Sequence, residues 1–280
     1  MSKRRILSPT SERRPFGNGA GNPAIVLFGK SNNGSGWNPH ESMDHFAQTL
    51  LARGIRKIFI PNPSDKPSLL IAHESQFKEK FAAKTSVSIC NSADADAVVI
   101  GQKGQAVGFF GTDPLAIFRF PTGRVVVLAC REGSLLNRDM IMSDANPVLR
   151  DLSIIDRLIR MSHPFERRKT QVFITLGTSQ ASNPHLWSAP GEQGKYNRAL
   201  TEYVMKHFGK HCFLPYKPEE GRLNIPMLIR EQCAKLGILP TNVREDSIDI
   251  HGLGRHPDAP NKWCIPSDGP QKTNFAVCHL

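Results

Sequence analysis

Residues Ser92–Ser134, SADADAVVIGQKGQAVGFFGTDPLAIFRFPTGRVVVLACREGS, decide how the rest of the chain is read. Ala97–Ile100 is short and β-branched, and Gly101–Gly104 follows as a turn with two glycines. Ala106–Phe110 and Leu115–Phe120 read as the next two strands, and Pro121–Gly123 as a second tight turn. Arg124–Cys130 is then almost continuously apolar. A strand with one face in water alternates polar and apolar residues. A run without alternation predicts a strand covered on both faces. Two loops at the ends of these strands, Gly111–Pro114 and Cys130–Gly133, are the natural places for a site.

The spacing of this stretch resembles the laccase-domain family, also called the multicopper polyphenol oxidase or purine nucleoside phosphorylase family. Members read ADA-VVT, then TADC-LP, then a strand ending in HAGWRG. Here the same frame holds Ala95-Asp96-Ala97-Val98-Val99, then Gly111-Thr112-Asp113-Pro114-Leu115-Ala116, then Val125–Cys130 followed by Arg131-Glu132-Gly133. Phe28–Ser35 resembles a drifted TTR-x-GG-S loop, Leu176-Gly177 the start of LGP-x-IGP, and Asp268-Gly269 the end of RRDG. The resemblance runs in order from about Ile25 to Leu280. It implies an α/β fold, a single-domain layered sandwich of mixed β-sheets flanked by helices.

Working outward, Ala24–Phe28 reads as a strand that enters a Gly/Asn/Ser loop containing Lys30. Gly29-Lys30-Ser31 lacks the upstream glycine that a phosphate-binding P-loop requires, so that reading fails. Met43–Arg53 carries apolar residues at helical spacing and stops at Gly54; Lys57–Ile60 is a strand. Helices are expected over Asp151–Met161, Tyr196–Phe208 and Leu223–Leu236, and strands over Gln171–Leu176 and Phe275–Leu280. Asn183–Gly194 reads as a polar loop. Residues 1–23 are basic and poor in apolar side chains, which predicts a flexible tail before one domain spanning 24–280.

The 280 residues carry 39% hydrophobic residues, enough to build a core. The formal charge is +11, which bears on solubility and on anionic partners rather than on fold. Six scattered cysteines without a CxxC pair argue against a zinc ribbon or a disulfide scaffold, and fit reduced thiols in the cytoplasm. No apolar run reaches the roughly 18–20 residues of a membrane span.

The resemblance implies one zinc held by two His and one Cys, with an open position for an activated water. That chemistry suits phosphorolysis or hydrolysis of purine nucleosides. The three matching positions in this chain read Asp65, Pro114 and Cys130. Proline has no side-chain donor atom, so the usual ligand set is not retained and no cofactor is expected. Asp65, Cys130 and His251 are the weak metal candidates that are left.

Cys130 reads most simply as a small hydrophobe at a strand end. As a nucleophile it would need a base, and His251, which lies where members have a residue near the pocket, is the candidate. Asp113 is the retained polar residue of the first loop; it is a catalytic candidate, and its plainer role is to cap the turn before Pro114. Arg131 and Lys30 are candidate substrate-binding cations, and the Arg131-Glu132 charges would narrow the pocket or ion-pair at its mouth.

Three classes follow. The first is a pseudoenzyme that keeps a pocket for a nucleoside-like molecule or a partner. The second is an active purine-nucleoside enzyme using Cys130 and His251. The third is a nucleic-acid-associated accessory protein using the basic tail and surface.

Overall fold

The computed structural model describes residues 11–19, 21–28, 43–61, 70–81, 86–91, 93–111, 113–147, 153–175, 184–246 and 274–280. Its strands, in chain order, are β1 (Ser11–Arg13), β2 (Ala24–Phe28), β3 (Lys57–Phe59), β4 (Ile71–Ala72), β5 (Lys78–Phe81), β6 (Ser88–Asn91), β7 (Ala97–Ile100) and β8 (Gln105–Gly111). They continue with β9 (Leu115–Arg119), β10 (Val125–Ala129), β11 (Gln171–Thr175), β12 (Pro184–Leu186), β13 (Phe213–Lys217), β14 (Glu220–Leu223), β15 (Val243–Glu245) and β16 (Asn274–His279). The helices are α1 (Met43–Leu51), α2 (Glu132–Leu135), α3 (Arg138–Met142), α4 (Ile154–Arg160), α5 (Pro164–Lys169), α6 (Gly191–His207) and α7 (Ile225–Lys235).

Two mixed sheets stack face to face. One runs β1-β2-β16-β8-β3-β6-β5 and the other β15-β11-β9-β10-β7-β4, while β12-β14-β13 form a small third sheet. The apolar run of β10 explains the stacking. Val125, Val127 and Ala129 point into the layer between the two large sheets, beside Val98, Val107, Ile117 and Phe173. Val126 and Leu128 point the other way, into a layer shared with Ile155, Leu158, Leu200, Val204, Leu228 and Ile229 of α4, α6 and α7. A strand with helices on one face and a sheet on the other has no solvent side for polar residues to occupy. On the outer face of the first sheet, Val26, Ile58, Phe275 and Val277 pack against Phe46, Ala47 and Leu50 of α1. The order is therefore helix, sheet, sheet, helices: the mixed α/β layered sandwich expected from the sequence.

The central turns form where the glycines predict them. Gly104 (φ +84°) closes the β7–β8 turn and Gly123 (φ +84°) the β9–β10 turn, both in the left-handed region that glycine adopts without Cβ strain. Gly108 has another reason. A Cβ there would lie 2.4 Å from Cζ of Phe275, whose ring packs 4.3 Å from Phe110 and 5.8 Å from Phe46.

Several boundaries move. The flexible-tail expectation for 1–23 is corrected over the residues that are described: β1 pairs antiparallel with β2, and Phe16 meets Phe173 edge to face at 6.5 Å. Half-buried Phe16 supplies apolar area that overrides the polar composition around it. The expected polar loop over Asn183–Gly194 contains β12 and the start of α6. The helix expected from Leu223 begins at Ile225, because Asn224 caps it by accepting from Met227 N at 3.1 Å and Leu223 belongs to β14. Helix α4 begins after Ser153, whose hydroxyl accepts from Asp156 N at 3.1 Å.

Candidate functional site

The pairing of β10 with β7 and β9 brings three loops to one end of the second sheet. Ala129 N donates to Asp96 O at 2.8 Å and Cys130 N to Pro114 O at 2.7 Å. The segments before β7, before β9 and after β10 are thus tied together by backbone. This gathers Asp113, Pro114, Cys130 and Arg131, the residues read from the two loops.

Arg131 precedes α2 and its side chain lies between two carboxylates. Its Nε is 3.6 Å from Asp113 Oδ2 and 3.8 Å from Asp96 Oδ1. Asp96 is buried, and the Ser134 hydroxyl of α2 donates to its Oδ2. A carboxylate in such a place needs both a cation and a donor, and α2 places one at each end of its first turn. Asp113 is different: its side chain remains 46% exposed at the rim. Desolvation raises its carboxyl above the ordinary aspartate value, and Arg131 opposes that rise.

Glu132 faces the other way. Its Oε2 is 2.5 Å from His185 Nε2 on β12, and its Oε1 accepts from Tyr196 OH of α6 at 3.0 Å. The Arg138 guanidinium lies 4.9 Å from the Tyr196 ring centre. Burial, then the charge of Glu132, pushes the Tyr196 phenol upward, so it stays protonated and donates. Around the loops this makes a rim of carboxylates, guanidinium, imidazole and phenol. Such a rim can accept from hydroxyl or amino groups through Asp113 and Glu132.

Cys130 lies beneath that rim. It is fully buried, and among the described residues its thiol makes a weak contact with Leu128 O at 3.8 Å. Burial drives its pKa well above the ordinary thiol value, and the nearby Asp113 charge adds to the rise. Cys233 of α7 is likewise buried, its thiol pushed up to about 12. Pro114 is also buried, and its carbonyl receives the Cys130 N–H. Two of the three positions that resemble zinc ligands are therefore a side chain without a donor and a sealed, protonated thiol. These two residues do not fit a zinc ion. Among the described residues, no group of three or more His, Cys, Asp or Glu side chains could hold a metal.

Lys30, Asp65 and His251, the other candidates, lie outside the described residues. Sequence reasoning passed over Asp96, Ser134, His185 and Tyr196. Asp96 was visible only as a letter of the ADA frame, and His185 belongs to no ligand pattern. Their roles come from which strands and helices meet. Of the Arg131-Glu132 pair, Arg131 is turned to two aspartates and Glu132 to His185.

No family model and no curated protein matches the chain. Solved structures do. The hypothetical protein YfiH of Bacillus licheniformis aligns with a TM-score of 0.61 at 10% identity, over 92% of each chain. YlmD from Geobacillus stearothermophilus aligns with a TM-score of 0.59 at 10% identity, over 93% of this chain and 92% of its own. Neisseria meningitidis protein NMB0706 gives 0.57 at 10% identity, over 92% and 94%. Among the described residues no helix is long and apolar enough to cross a membrane. At this level of identity the likeness concerns architecture, and the chain has the YfiH-like, laccase-domain fold.

Proposed function

We propose that this chain is a divergent laccase-domain protein whose zinc-dependent chemistry is lost or altered, and whose rim serves a nucleoside-like small molecule or a partner. One observation carries this reading. At two of the three ligand positions, Pro114 offers no side-chain donor and engages its carbonyl with Cys130 N, while Cys130 is fully buried. A metal ligand or nucleophile must act as the thiolate, and burial opposes that form. Cys130 in this reading is a core residue beneath the rim. The same burial weighs against an enzyme that attacks through Cys130 and His251.

The rim retains binding chemistry without a metal. Asp113 and Glu132 accept from sugar hydroxyls or exocyclic amines, and Arg131 neutralises the carboxylates and orients Asp113. The test is calorimetric titration of adenosine and inosine, with and without added zinc. Binding that is indifferent to zinc and weakened several-fold by Glu132→Gln is expected. Zinc-dependent turnover of either nucleoside, with water or phosphate, would overturn the proposal.

A further inference from the structure

Helices α4 and α5 meet at a corner, Met161-Ser162-His163-Pro164-Phe165, that turns apolar groups to water. Phe165 is 77% exposed, more than any other large apolar side chain among the described residues, and Met161 is 55% exposed. The corner is held in shape. Pro164 takes the first position of α5, where a missing N–H costs nothing. Glu166 Oε2 accepts from His163 N at 3.1 Å, and Arg167 donates from Nε and Nη2 to Ser162 O, each at 3.3 Å. The His163 and Phe165 rings stack with centres 5.3 Å apart and planes 15° apart. Phe165 is thus fixed in water by its surroundings. A fixed apolar projection bordered by charge marks an interaction surface.

The charge beside it selects the partner. Arg168 and Lys169 follow Phe165 by three and four residues, which puts all three on one face of α5. Both cations are exposed, and neither is in an ion pair among the described residues. The carboxylates of α4 and α5 are already engaged, Asp156 with Arg160 Nε at 2.7 Å and Glu166 in the cap. Apolar tips with cations beside them fit a surface that is negative outside and apolar just beneath, which describes an anionic bilayer. Single-stranded nucleic acid is also anionic with apolar groups, but it stacks its bases on aromatic faces. Met161 cannot stack, and one face of the Phe165 ring is covered by His163.

We propose that the α4–α5 corner docks on an anionic membrane surface, with Phe165 and Met161 entering the headgroup boundary and Arg168 and Lys169 meeting the lipid anions. Helix α5 leads into Gln171, which pairs with Arg119 at one end of the second sheet. Thr175, Leu115 and Ala129 are paired at the other end, which carries the rim. The corner is therefore separate from the rim, and the inference does not rest on the function proposed for it.

The test is sedimentation of the full chain with vesicles of phosphatidylcholine, alone or mixed with phosphatidylserine, at low and at physiological salt. Binding to the mixed vesicles is expected, far weaker with phosphatidylcholine alone and reduced at the higher salt. Phe165→Ala should weaken it roughly tenfold, the scale of one buried aromatic side chain. Arg168→Gln and Lys169→Gln should each weaken it about fivefold, the scale of one cation at the surface. Phe165→Leu keeps an apolar tip and should bind vesicles nearly as the parent does, whereas a stacking ligand would be lost with either Phe165 substitution. All three positions are exposed, and an unchanged melting temperature separates lost docking from lost fold. Failure to sediment with the mixed vesicles at low salt would overturn the proposal. So would equal binding to both vesicle types, or mixed-vesicle binding indifferent to Phe165→Ala. Capture of a single-stranded oligonucleotide in place of vesicles, lost equally with Phe165→Ala and Phe165→Leu, would overturn it as well.

Discussion

The reading of Cys130 as a sealed core thiol makes a quantitative prediction for alkylation. Iodoacetamide reacts with the thiolate. An unperturbed thiol, with a pKa near 8.5, is roughly one-tenth thiolate at pH 7.5. Burial raises the Cys130 pKa and lowers that fraction further. Steric access slows the reaction more. Cys130 is 0% exposed and lies within a core that joins β7, β9, β10, α2, α4 and α7. Reaction should therefore await an opening that breaks this core. If that opening costs even about 5 kcal/mol, the low end of domain stabilities, the open fraction is on the order of 10⁻⁴. Labelling of Cys130 should then be at least about a thousandfold slower in the native chain than in the same chain in urea. Timed alkylation with peptide mass spectrometry measures this. Labelling within about tenfold of the unfolded rate would refute the argument, because an exposed thiolate would then be present.

Deleting residues 1–23 should lower stability by about 1–2 kcal/mol, since half-buried Phe16 leaves Phe173 and β1 leaves β2; an unchanged melting temperature would restore the solvated-tail reading. Gly108→Ala should cost about 1–3 kcal/mol by driving a Cβ into Phe275, a fall of several degrees in thermal melting, and a neutral effect would mean that β16 shifts freely. Asp144 is held below the ordinary aspartate value by Lys206 and then His207. A depressed carboxylate stabilises the fold above its unfolded pKa, and that contribution disappears as pH falls through the folded value. Asp144→Asn, which tolerates the positive φ at this position, should melt slightly lower than the parent at pH 7 and converge with it below about pH 4.

The central strands were legible because their surroundings are strict. Val125–Ala129 is buried on both faces, so its composition had no freedom, and Gly104 and Gly123 occupy backbone conformations that ask for glycine. The segments that sequence reading missed are short or lie where packing is one-sided. β4 has two residues and β5 reads Lys-Glu-Lys-Phe, a charged pattern with no core signal. The β13–β14 hairpin hides because Leu214–Lys217 is exposed while the partner strand is buried. Helices α2 and α3 are too brief to show a period.

At the site, the loops were legible and the contacts were not. Asp113 read as a cap for the turn at Pro114; its pairing with Arg131 depends on the end of β10 meeting the start of β9. Glu132 read as a charge at the mouth. That it joins His185 and Tyr196 depends on where β12 and α6 dock, and neither is encoded nearby in the chain.

The claim beneath the proposed function concerns one substitution and one burial: a residue without a donor at 114 and a thiol shut away at 130. Elemental analysis of the purified full chain after mild chelation tests it most directly. The account predicts zinc far below one equivalent per chain, unchanged by Cys130→Ala; one zinc per chain that survives chelation and is lost on that substitution would contradict it.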